Sequence, residues 1–301
     1  MVVTQISNQE LLMLSLSAQL STEIAALARR ALASGVTGAS AREARSRLRR
    51  PLVYMRYGEL DAVLRDLDLC AGMKVVDFSS PQWLTMTLAS RHPDIEFLYT
   101  NIIDAELTQY VEIAQALDLK NIRFLRLDIR QINFPDSTFD RAISVSVIEH
   151  VYPEVGGDAA ALGEVYRVLK NGGKLLLTVP YKRKRNVVYV SGAVYERGSR
   201  DRNFYAREYD EQQLNELLDR TQFSRNKPWF VCERSGWLAL DEIEWGPRRG
   251  MLSARVSILI RRLVEKLGRT SFDASLATRY LTVAEKPNGR LVNIAISLTK
   301  T

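Results

Sequence analysis

Residues 73–78 read MKVVDF, and SSPQW follows at 79–83. The first run has the β-branched and aromatic residues of a buried strand, and the serines and proline after it are typical of a turn into a helix. Four further apolar runs follow, with room for helices between them at 81–90, 104–118 and 158–170. The runs are IEFLYT (95–100), NIRFLRL (121–127), RAISVSV (141–147) and KLLLTVP (174–180). With β-rich runs later in the chain, this alternation predicts an α/β fold with a doubly wound, seven-stranded, mostly parallel sheet.

The chain on either side of these strands is expected to add helices. Leu16, Leu20 and Ile24 recur at helical spacing before the first strand, and Asn288–Gly289 marks a turn before the last one. We therefore predict four regions. They are an N-terminal helical extension (1–57), the core (58–240), a helical insertion (241–278) and the final strands of the sheet (279–301).

Residues 252–267 are predicted to form an amphipathic helix within that insertion. Val256 and Leu263 lie on an apolar face, while Arg255 and Arg262 lie on the opposite face. A helix of this kind can lie on a membrane surface. Its apolar face can equally pack onto the core or onto a second copy of the chain, which would make a homodimer.

Composition bounds the partners and the chemistry. The chain has 301 residues with only two cysteines, Cys70 and Cys232, and two histidines, which is too few for a disulfide framework or a structural metal site. The start of the chain lacks the pattern of a secretory signal, and no run is long enough for a membrane span. These features predict a cytoplasmic protein, peripheral to the membrane if 252–267 contacts lipid.

The net charge of +7 predicts an anionic partner. The basic residues concentrate locally, and the KRKR run at 182–185 directly follows the fifth strand. Ligands of doubly wound sheets bind at that edge, where such cations can hold a phosphate or carboxylate. The alternative is that each basic patch is simply a solvated surface.

The most specific stretch begins at the end of the third strand. Leu127-Asp128-Ile129 is followed by FPDSTFDRAISVSVIEHV (134–151), and Asn171-Gly172-Gly173 precedes the fifth strand. In order and content these segments resemble the class I S-adenosylmethionine-dependent methyltransferases, of the type 11 kind. The resemblance covers about residues 54–225. It implies the Rossmann-like methyltransferase fold, S-adenosylmethionine as the cofactor and methyl transfer as the reaction.

The resemblance also assigns roles to residues at the strand ends. It implies that Asp128 contacts the adenine amino group and that the backbone N–H of Ile129 serves the ring. Asn101 stands where the family places an acidic residue for the ribose hydroxyls, with Asp104 three residues on, although Asn101 can also simply end a strand. The predicted cofactor-binding residues are Asp77, Ser79, Ser80, Asn101, Asp128 and Ile129.

The turn after the first strand departs from the family. Ser79, Pro81 and Trp83 stand where the usual motif has glycines, whose missing side chains let the backbone approach the ligand. One interpretation is a lost site. The other is that Ser80 caps the next helix with Pro81 in its first position, giving a rigid turn without positive backbone angles, while the serine hydroxyls face the methionine part of the cofactor.

His150 is the candidate catalytic residue, because its loop is expected to face the transferable methyl. An acceptor hydroxyl or amine needs a base, and histidine is suited to that task. The alternative is a histidine that packs at a helix start. The long segment 188–210 after the fifth strand predicts a substrate lid.

Three functions follow in order of preference. The first is methyl transfer to a small-molecule, sugar or glycolipid acceptor. The second is a methyltransferase-like scaffold without catalysis, and the third is RNA methylation, for which no RNA-binding module is recognisable. No DNA partner is expected. A nicotinamide-dependent oxidoreductase is disfavoured because Pro81 and Trp83 would obstruct its pyrophosphate.

Overall fold

The computed structural model describes residues 14–81, 83–195, 197–234 and 272–301. The helices are α1 (Ser15–Ala33), α2 (Gly38–Arg49), α3 (Tyr54–Arg65), α4 (Leu84–Arg91), α5 (Asp104–Ala116), α6 (Gly157–Val168), α7 (Glu211–Asp219) and α8 (Phe272–Tyr280), with a short 3₁₀ helix at Ile148–His150. The strands are β1 (Lys74–Phe78), β2 (Glu96–Asn101), β3 (Ile122–Arg126), β4 (Phe139–Val145), β5 (Leu169–Pro180), β6 (Asn186–Val194), β7 (Arg197–Glu208), β8 (Phe223–Arg225), β9 (Trp229–Glu233), β10 (Leu281–Ala284) and β11 (Arg290–Lys300).

The central sheet has the predicted mixed α/β architecture. Its strand order is β10-β9-β11-β5-β4-β1-β2-β3, and β8 pairs with β11. Strands β1 to β5 are parallel, whereas β11 runs antiparallel to β5 and β9 runs antiparallel to β11. The described part of this sheet therefore has nine strands rather than the predicted seven, because the antiparallel edge consists of several short strands.

The strand order reverses at β1, which lies between β2 and β4. Loops from β1 and β4 leave in opposite directions at this point, so a crevice opens beyond the carboxyl ends of the parallel strands. The residues that the sequence singled out at the ends of β1, β2, β3 and β4 are therefore brought to one edge of the sheet.

Two hydrophobic layers cover the faces of the sheet. Helices α1, α3, α4 and α5 bury Leu20, Leu60 and Leu88 against one face, while α6 and α7 bury Leu162 and Leu217 against the other. Strand β1 shows why the sequence forms a central strand, since every residue after Lys74 is buried. Such a strand is apolar on both sides because helices cover both faces.

The N-terminal helices are tied to the core by a buried carboxylate. Asp61 on α3 is fully buried and accepts backbone N–H bonds from Leu16 (3.1 Å) and Ser17 (3.2 Å) at the start of α1. The same carboxylate pairs with Arg65. Because the first N–H groups of a helix have no partner within the helix, Asp61 acts as a cap supplied by a neighbouring helix.

We expect Asp61→Ala to lower the free energy of unfolding by about 2 kcal/mol, since the α1 N–H groups lose their acceptor. Urea denaturation measures the change. Glu23→Ala is the matched control, because the Glu23–Arg91 pair is half-exposed and contributes less than about 1 kcal/mol. Equal losses in the two variants would contradict the capping role.

Most of the predicted lid segment (188–210) belongs to strands β6 and β7, which form a separate two-stranded antiparallel ribbon. The ribbon is fastened to the loop after the 3₁₀ helix by Arg207, whose guanidinium is almost fully buried. Arg207 donates hydrogen bonds to the carbonyls of Val151 (3.0 Å), Pro153 (2.6 Å) and Glu154 (2.7 Å) and lies 3.3 Å from the Asp158 carboxylate. The ribbon is thereby held over the edge of the sheet where the crevice opens.

The predicted regions map only partly onto these elements. Residue 57, the predicted end of the extension, falls inside α3. The amphipathic segment 252–267 lies outside the described residues, and of the insertion only 272–278 is described, in α8. Among the helices that the structure describes, none is both long and apolar enough to cross a bilayer.

Candidate active site

The glycine-free turn after β1 uses left-handed backbone angles. Ser79 has φ 58° and Trp83 has φ 62°, so the prediction of a turn without positive angles is wrong. Ser79 is held in this conformation because both its N–H and its hydroxyl donate to the carbonyl of Thr100, each at 2.9 Å. Hydrogen bonds to β2 thus offset the strain that a glycine would have avoided.

Ser80 does not cap the following helix, contrary to the prediction. Helix α4 begins at Leu84, with Trp83 as the preceding residue, so Pro81 is not in its first turn either. The Ser80 hydroxyl instead accepts the backbone N–H of Val145 (3.1 Å) at the end of β4. It is buried and ties the turn to the neighbouring strand.

Asp77 fixes the conformation of the same turn through buried hydrogen bonds. Its carboxylate is fully buried and accepts the backbone N–H of Ser80 (2.8 Å) and the hydroxyl of Thr85 on α4. Burial raises the pKa of Asp77 to about 6, and the bonds from Thr85 and Ser80 act in the opposite direction. The turn is therefore fixed by a carboxylate that the protein interior makes costly to ionise.

A first cavity of about 270 Å³ opens beside this turn, beyond the ends of β1 to β4. Ser79, Asn101, Asp128, Ile129 and His150 are among its lining residues. Tyr195 and Arg197 of the ribbon segment close part of it. Neither Pro81 nor Trp83 is among the described residues that line it, so the bulky residues of the turn leave the cavity open. Trp83 is instead buried in the core.

Asn101 is held by a carboxylate that faces this first cavity. Its side-chain amide donates to Glu106 (2.9 Å), and its carbonyl oxygen accepts the backbone N–H of Ile103 (3.0 Å). Glu106 also lines the cavity, and burial raises its pKa. Asp104, the acidic residue considered from the sequence, is exposed and lies 3.6 Å from Arg126 outside the cavity.

Asp128 faces the first cavity with a guanidinium beside it. Arg130 donates to both carboxylate oxygens, with its Nε 3.0 Å from each, and its backbone N–H also donates to the carboxylate (2.9 Å). These hydrogen bonds hold the pKa of Asp128 below its usual range. Asp128 is thus ionised at neutral pH and available as a hydrogen-bond acceptor at the cavity wall.

A second, larger cavity of about 440 Å³ lies between α3, the ribbon and β11. Its floor holds the buried carboxyls Glu59 and Glu149, while its rim holds Lys182 and Arg183. Tyr205 on β7 contributes an aromatic wall. The cavity therefore combines apolar walls with a polar floor and a cationic rim, as expected for a site that takes a polar small molecule.

The two cavities meet at Ser146 and His150, which line both. Ser146 directly follows β4, and His150 is the last residue of the short 3₁₀ helix after it. A molecule in the first cavity and one in the second can therefore approach each other across this boundary. Because group transfer requires two reactants in near-contact, the boundary is the candidate reaction centre.

The His150 imidazole is neutral and has a defined tautomer. Its Nδ1 lies 2.8 Å from the backbone carbonyl of Tyr205, which can only accept, so Nδ1 carries the proton. Its Nε2 therefore presents a lone pair, 3.8 Å from a Glu149 carboxyl oxygen. Burial lowers the pKa of His150 to about 4, and the ring of Tyr205 packs against it with centroids 4.7 Å apart.

Comparison with known proteins shows what the chain is similar to. Residues 84–177 match the family model described as a methyltransferase domain, and this match begins at the first residue of α4. The chain is 30% identical over 109 residues to the 2-methyl-6-phytyl-1,4-hydroquinone methyltransferase 1 of Oryza sativa subsp. japonica, covering 36% of this chain and 31% of that protein. It is 29% identical over 124 residues to a probable S-adenosylmethionine-dependent methyltransferase of Mycolicibacterium smegmatis, covering 40% of this chain and 44% of that protein.

Residues 84–177 are therefore similar to a methyltransferase domain, which supports the predicted resemblance to class I S-adenosylmethionine-dependent methyltransferases. The matched segments span less than half the length of each of these two curated relatives.

Solved structures share the class I methyltransferase fold with this chain. The [4+2]-cyclase SpnF superposes with a TM-score of 0.50 at 17% identity, covering 82% of this chain and 81% of that chain. The YcgJ protein from Bacillus subtilis also superposes with a TM-score of 0.50, at 16% identity, covering 80% of this chain and 97% of that chain. These likenesses establish the architecture, which the sequence predicted. At such identity they carry no information about the reaction.

The structure gathers most of the predicted methyltransferase site residues at the first cavity. Ser79, Asn101, Asp128, Ile129 and His150 all line it. The other two, Asp77 and Ser80, are buried beneath the turn and hold its shape through the bonds described above. Their contribution to a cofactor is therefore indirect, through the conformation of Ser79.

The first cavity suits S-adenosylmethionine, the donor used by the methyltransferases that the chain resembles. Acceptors for an adenine amino group and for ribose hydroxyls are present in Asp128 and in the Asn101–Glu106 pair. Ser79, directly after β1, adds its backbone and side-chain hydroxyl to the lining of the first cavity. This donor and acceptor set fits S-adenosylmethionine.

Several residues of the site were not predicted. Glu106 was missed, although a carboxylate one turn into the helix after Asn101 is a readable signal. Glu149 directly precedes His150, but its sequence position alone predicted no role for it. Arg56 and Glu59 lie on α3, and only tertiary packing brings this helix to the second cavity.

Proposed function

We propose that this protein transfers a methyl group from S-adenosylmethionine in the first cavity to a small-molecule acceptor in the second cavity. The observation that carries the proposal is that two cavities with different linings meet at Ser146 and His150. The cofactor supplies an electrophilic methyl group on a sulfonium, so the protein has mainly to align two molecules and exclude water.

The chain's own residues would divide this work. Asp128, Ile129, Asn101 and Ser79 would hold the cofactor in the first cavity, where the turn fixed by Asp77 keeps their geometry. His150 is the proposed catalytic residue at the boundary, where its Nε2 lone pair would accept a hydrogen bond from the reacting group and orient it. The ribbon would cover both molecules and keep water out.

The acceptor would be a polar, partly anionic small molecule. Arg56, Lys182, Arg183 and Arg290 line the second cavity, so its cationic side chains outnumber its carboxylates. A sugar, a glycolipid headgroup or an aromatic hydroxyl compound meets this chemistry. The name of the rice relative specifies a hydroquinone acceptor, which makes hydroquinones a sensible part of any acceptor panel.

Cofactor binding and cavity assignment can be tested together by calorimetry with S-adenosylmethionine and S-adenosylhomocysteine. Ile102 and Val188 are half-buried and line the first and second cavities respectively, so a tryptophan at either position fills one of them. We expect Ile102→Trp to weaken cofactor binding by at least about 10-fold and Val188→Trp to change it less than about 3-fold. Failure of the wild type to bind either compound would support a non-catalytic scaffold instead.

A further inference from the structure

Glu149 has an unusual position for a carboxyl group. Its side chain is only 1% exposed, yet it lines the second cavity, and it is absent from the described lining of the first cavity. Among the described residues no group forms a hydrogen bond with its Oε2. A buried carboxyl oxygen without a partner is costly for stability, so its retention calls for a partner that arrives with the ligand.

The neighbouring Glu59 provides the contrast. One of its carboxylate oxygens pairs with Arg56, and the other accepts from Ser146 and from Asn293. Both oxygens are therefore occupied within the protein, and Glu59 serves to fix the cavity floor. Of these two buried carboxyls in the second cavity, Glu149 is the one whose Oε2 can accept a hydrogen bond from an incoming molecule.

We propose that Glu149 is a catalytic residue that takes the proton from the hydroxyl group of the acceptor during methyl transfer. This inference rests on the proposed function and specifies the acceptor as an O–H compound. The acceptor oxygen would lie at the boundary beside Ser146 and His150, and its proton would face the open Oε2 of Glu149.

The reaction balances without a further reactant. A lone pair of the acceptor oxygen forms the new O–CH₃ bond, the methyl–sulfur bond breaks, and its electron pair remains on sulfur, which becomes a neutral thioether. The O–H bond breaks with its electrons kept on oxygen, and the proton adds to the Glu149 carboxylate. Solvent removes that proton after the product leaves.

A neutral hydroxyl suits this cavity better than an amine. An ammonium acceptor would bring a positive charge among Arg56, Lys182, Arg183 and Arg290, which like-charge repulsion disfavours. It would also need to lose a proton before its nitrogen could attack.

The chemistry of the two neighbouring groups favours Glu149 over His150 as the proton acceptor. Burial, together with the charge of Glu59, raises the pKa of Glu149 to about 8, whereas the pKa of His150 is lowered to about 4. The carboxylate is therefore the stronger base of the two. Several titratable and charged groups surround it: Arg56 and Glu59 on α3, His150 beside it, Tyr195 before β7, Tyr205 and Arg207 on β7, and Tyr209 directly after β7.

The first test needs no knowledge of the acceptor. Dicyclohexylcarbodiimide modifies protonated carboxyls in apolar surroundings, and mass spectrometry of the S-adenosylhomocysteine-bound protein locates the modified residue. We expect modification of Glu149 at pH 7 that declines as the pH rises past about 8, because ionisation removes the reactive form. Modification of Glu59 with Glu149 untouched would overturn the proposal.

The second test compares Glu149→Gln with Glu216→Gln, whose carboxyl is exposed on α7 and lines neither cavity among the described contacts. Hydroquinone, catechol and 4-hydroxybenzoate serve as acceptors, with S-adenosylhomocysteine release as the readout. We expect Glu149→Gln to lower kcat at least about 100-fold and to abolish its rise with pH, with cofactor affinity unchanged.

The outcomes separate the two proposals. A wild-type protein that binds no cofactor defeats the proposed function itself. Cofactor binding with normal turnover and an unaltered pH profile in Glu149→Gln defeats only the role of Glu149. A product whose nuclear magnetic resonance spectrum shows a new carbon–methyl bond instead of a methoxy group defeats the hydroxyl assignment.

Discussion

Substitution of His150 by phenylalanine is expected to lower kcat about 100-fold while changing cofactor affinity by less than about 3-fold. Phenylalanine keeps an aromatic ring between Tyr195 and Tyr205 but removes both the Nδ1–H bond to the Tyr205 carbonyl and the Nε2 lone pair. The acceptor group would then lose the atom that orients it at the boundary between the cavities. S-adenosylhomocysteine release under saturating cofactor measures the effect.

The other histidine of the chain provides the matched control. His92 follows α4 and lines neither cavity among the described contacts, so His92→Phe is expected to retain turnover. The pH profile gives a second check. Because burial holds the pKa of His150 near 4, its imidazole is neutral above about pH 5, and protonation of His150 should reduce turnover only in more acidic solution. A fall of turnover centred near pH 6.5 that disappears in His150→Phe would contradict this placement.

Replacement of Asp77 by alanine is expected to lower the free energy of unfolding by about 3 kcal/mol and to weaken cofactor binding about 100-fold. The substitution leaves the buried N–H of Ser80 and the hydroxyl of Thr85 without their acceptor. The turn that holds Ser79 in a left-handed conformation would relax as a result. Denaturant unfolding and calorimetry measure the two effects.

The isosteric variant Asp77→Asn isolates the charge. The pKa of Asp77 in the folded protein is raised to about 6, so the folded state binds this proton more tightly than the unfolded chain does. As pH rises from about 4 to about 6, the wild type should therefore lose up to about 3 kcal/mol of stability relative to Asp77→Asn. A difference between the two proteins that does not change over this pH range would contradict the buried, costly carboxylate.

The parallel half of the sheet could be predicted because its strands are buried on both faces. Each forms a short continuous apolar run, and the helices between them repeat at regular intervals. The antiparallel edge was harder. Strands β8, β9 and β10 have three to five residues each, and β10 and β11 flank β9 instead of pairing with each other across the Asn288–Gly289 turn.

The site was predictable where a residue's position depends only on a strand end. Asn101 ends β2, and Asp128 and His150 lie in the loops that follow β3 and β4, so topology alone carries them to one edge. The conformation of the turn was not predictable, because Ser79 is held by the Thr100 carbonyl of another strand. The placement of Glu59 in the same cavity as Glu149 likewise depends on how α3 packs, which no local pattern encodes.

The central claim is that a bend without glycine still holds S-adenosylmethionine, with its reactive end at the boundary of two cavities. A crystal structure with S-adenosylhomocysteine tests this most directly. We expect adenine beside Asp128, the ribose beside Asn101 and Glu106, and the sulfur facing Ser146 and His150. Density for the ligand in the second cavity, or a ligand whose sulfur lies away from that boundary, would contradict the account.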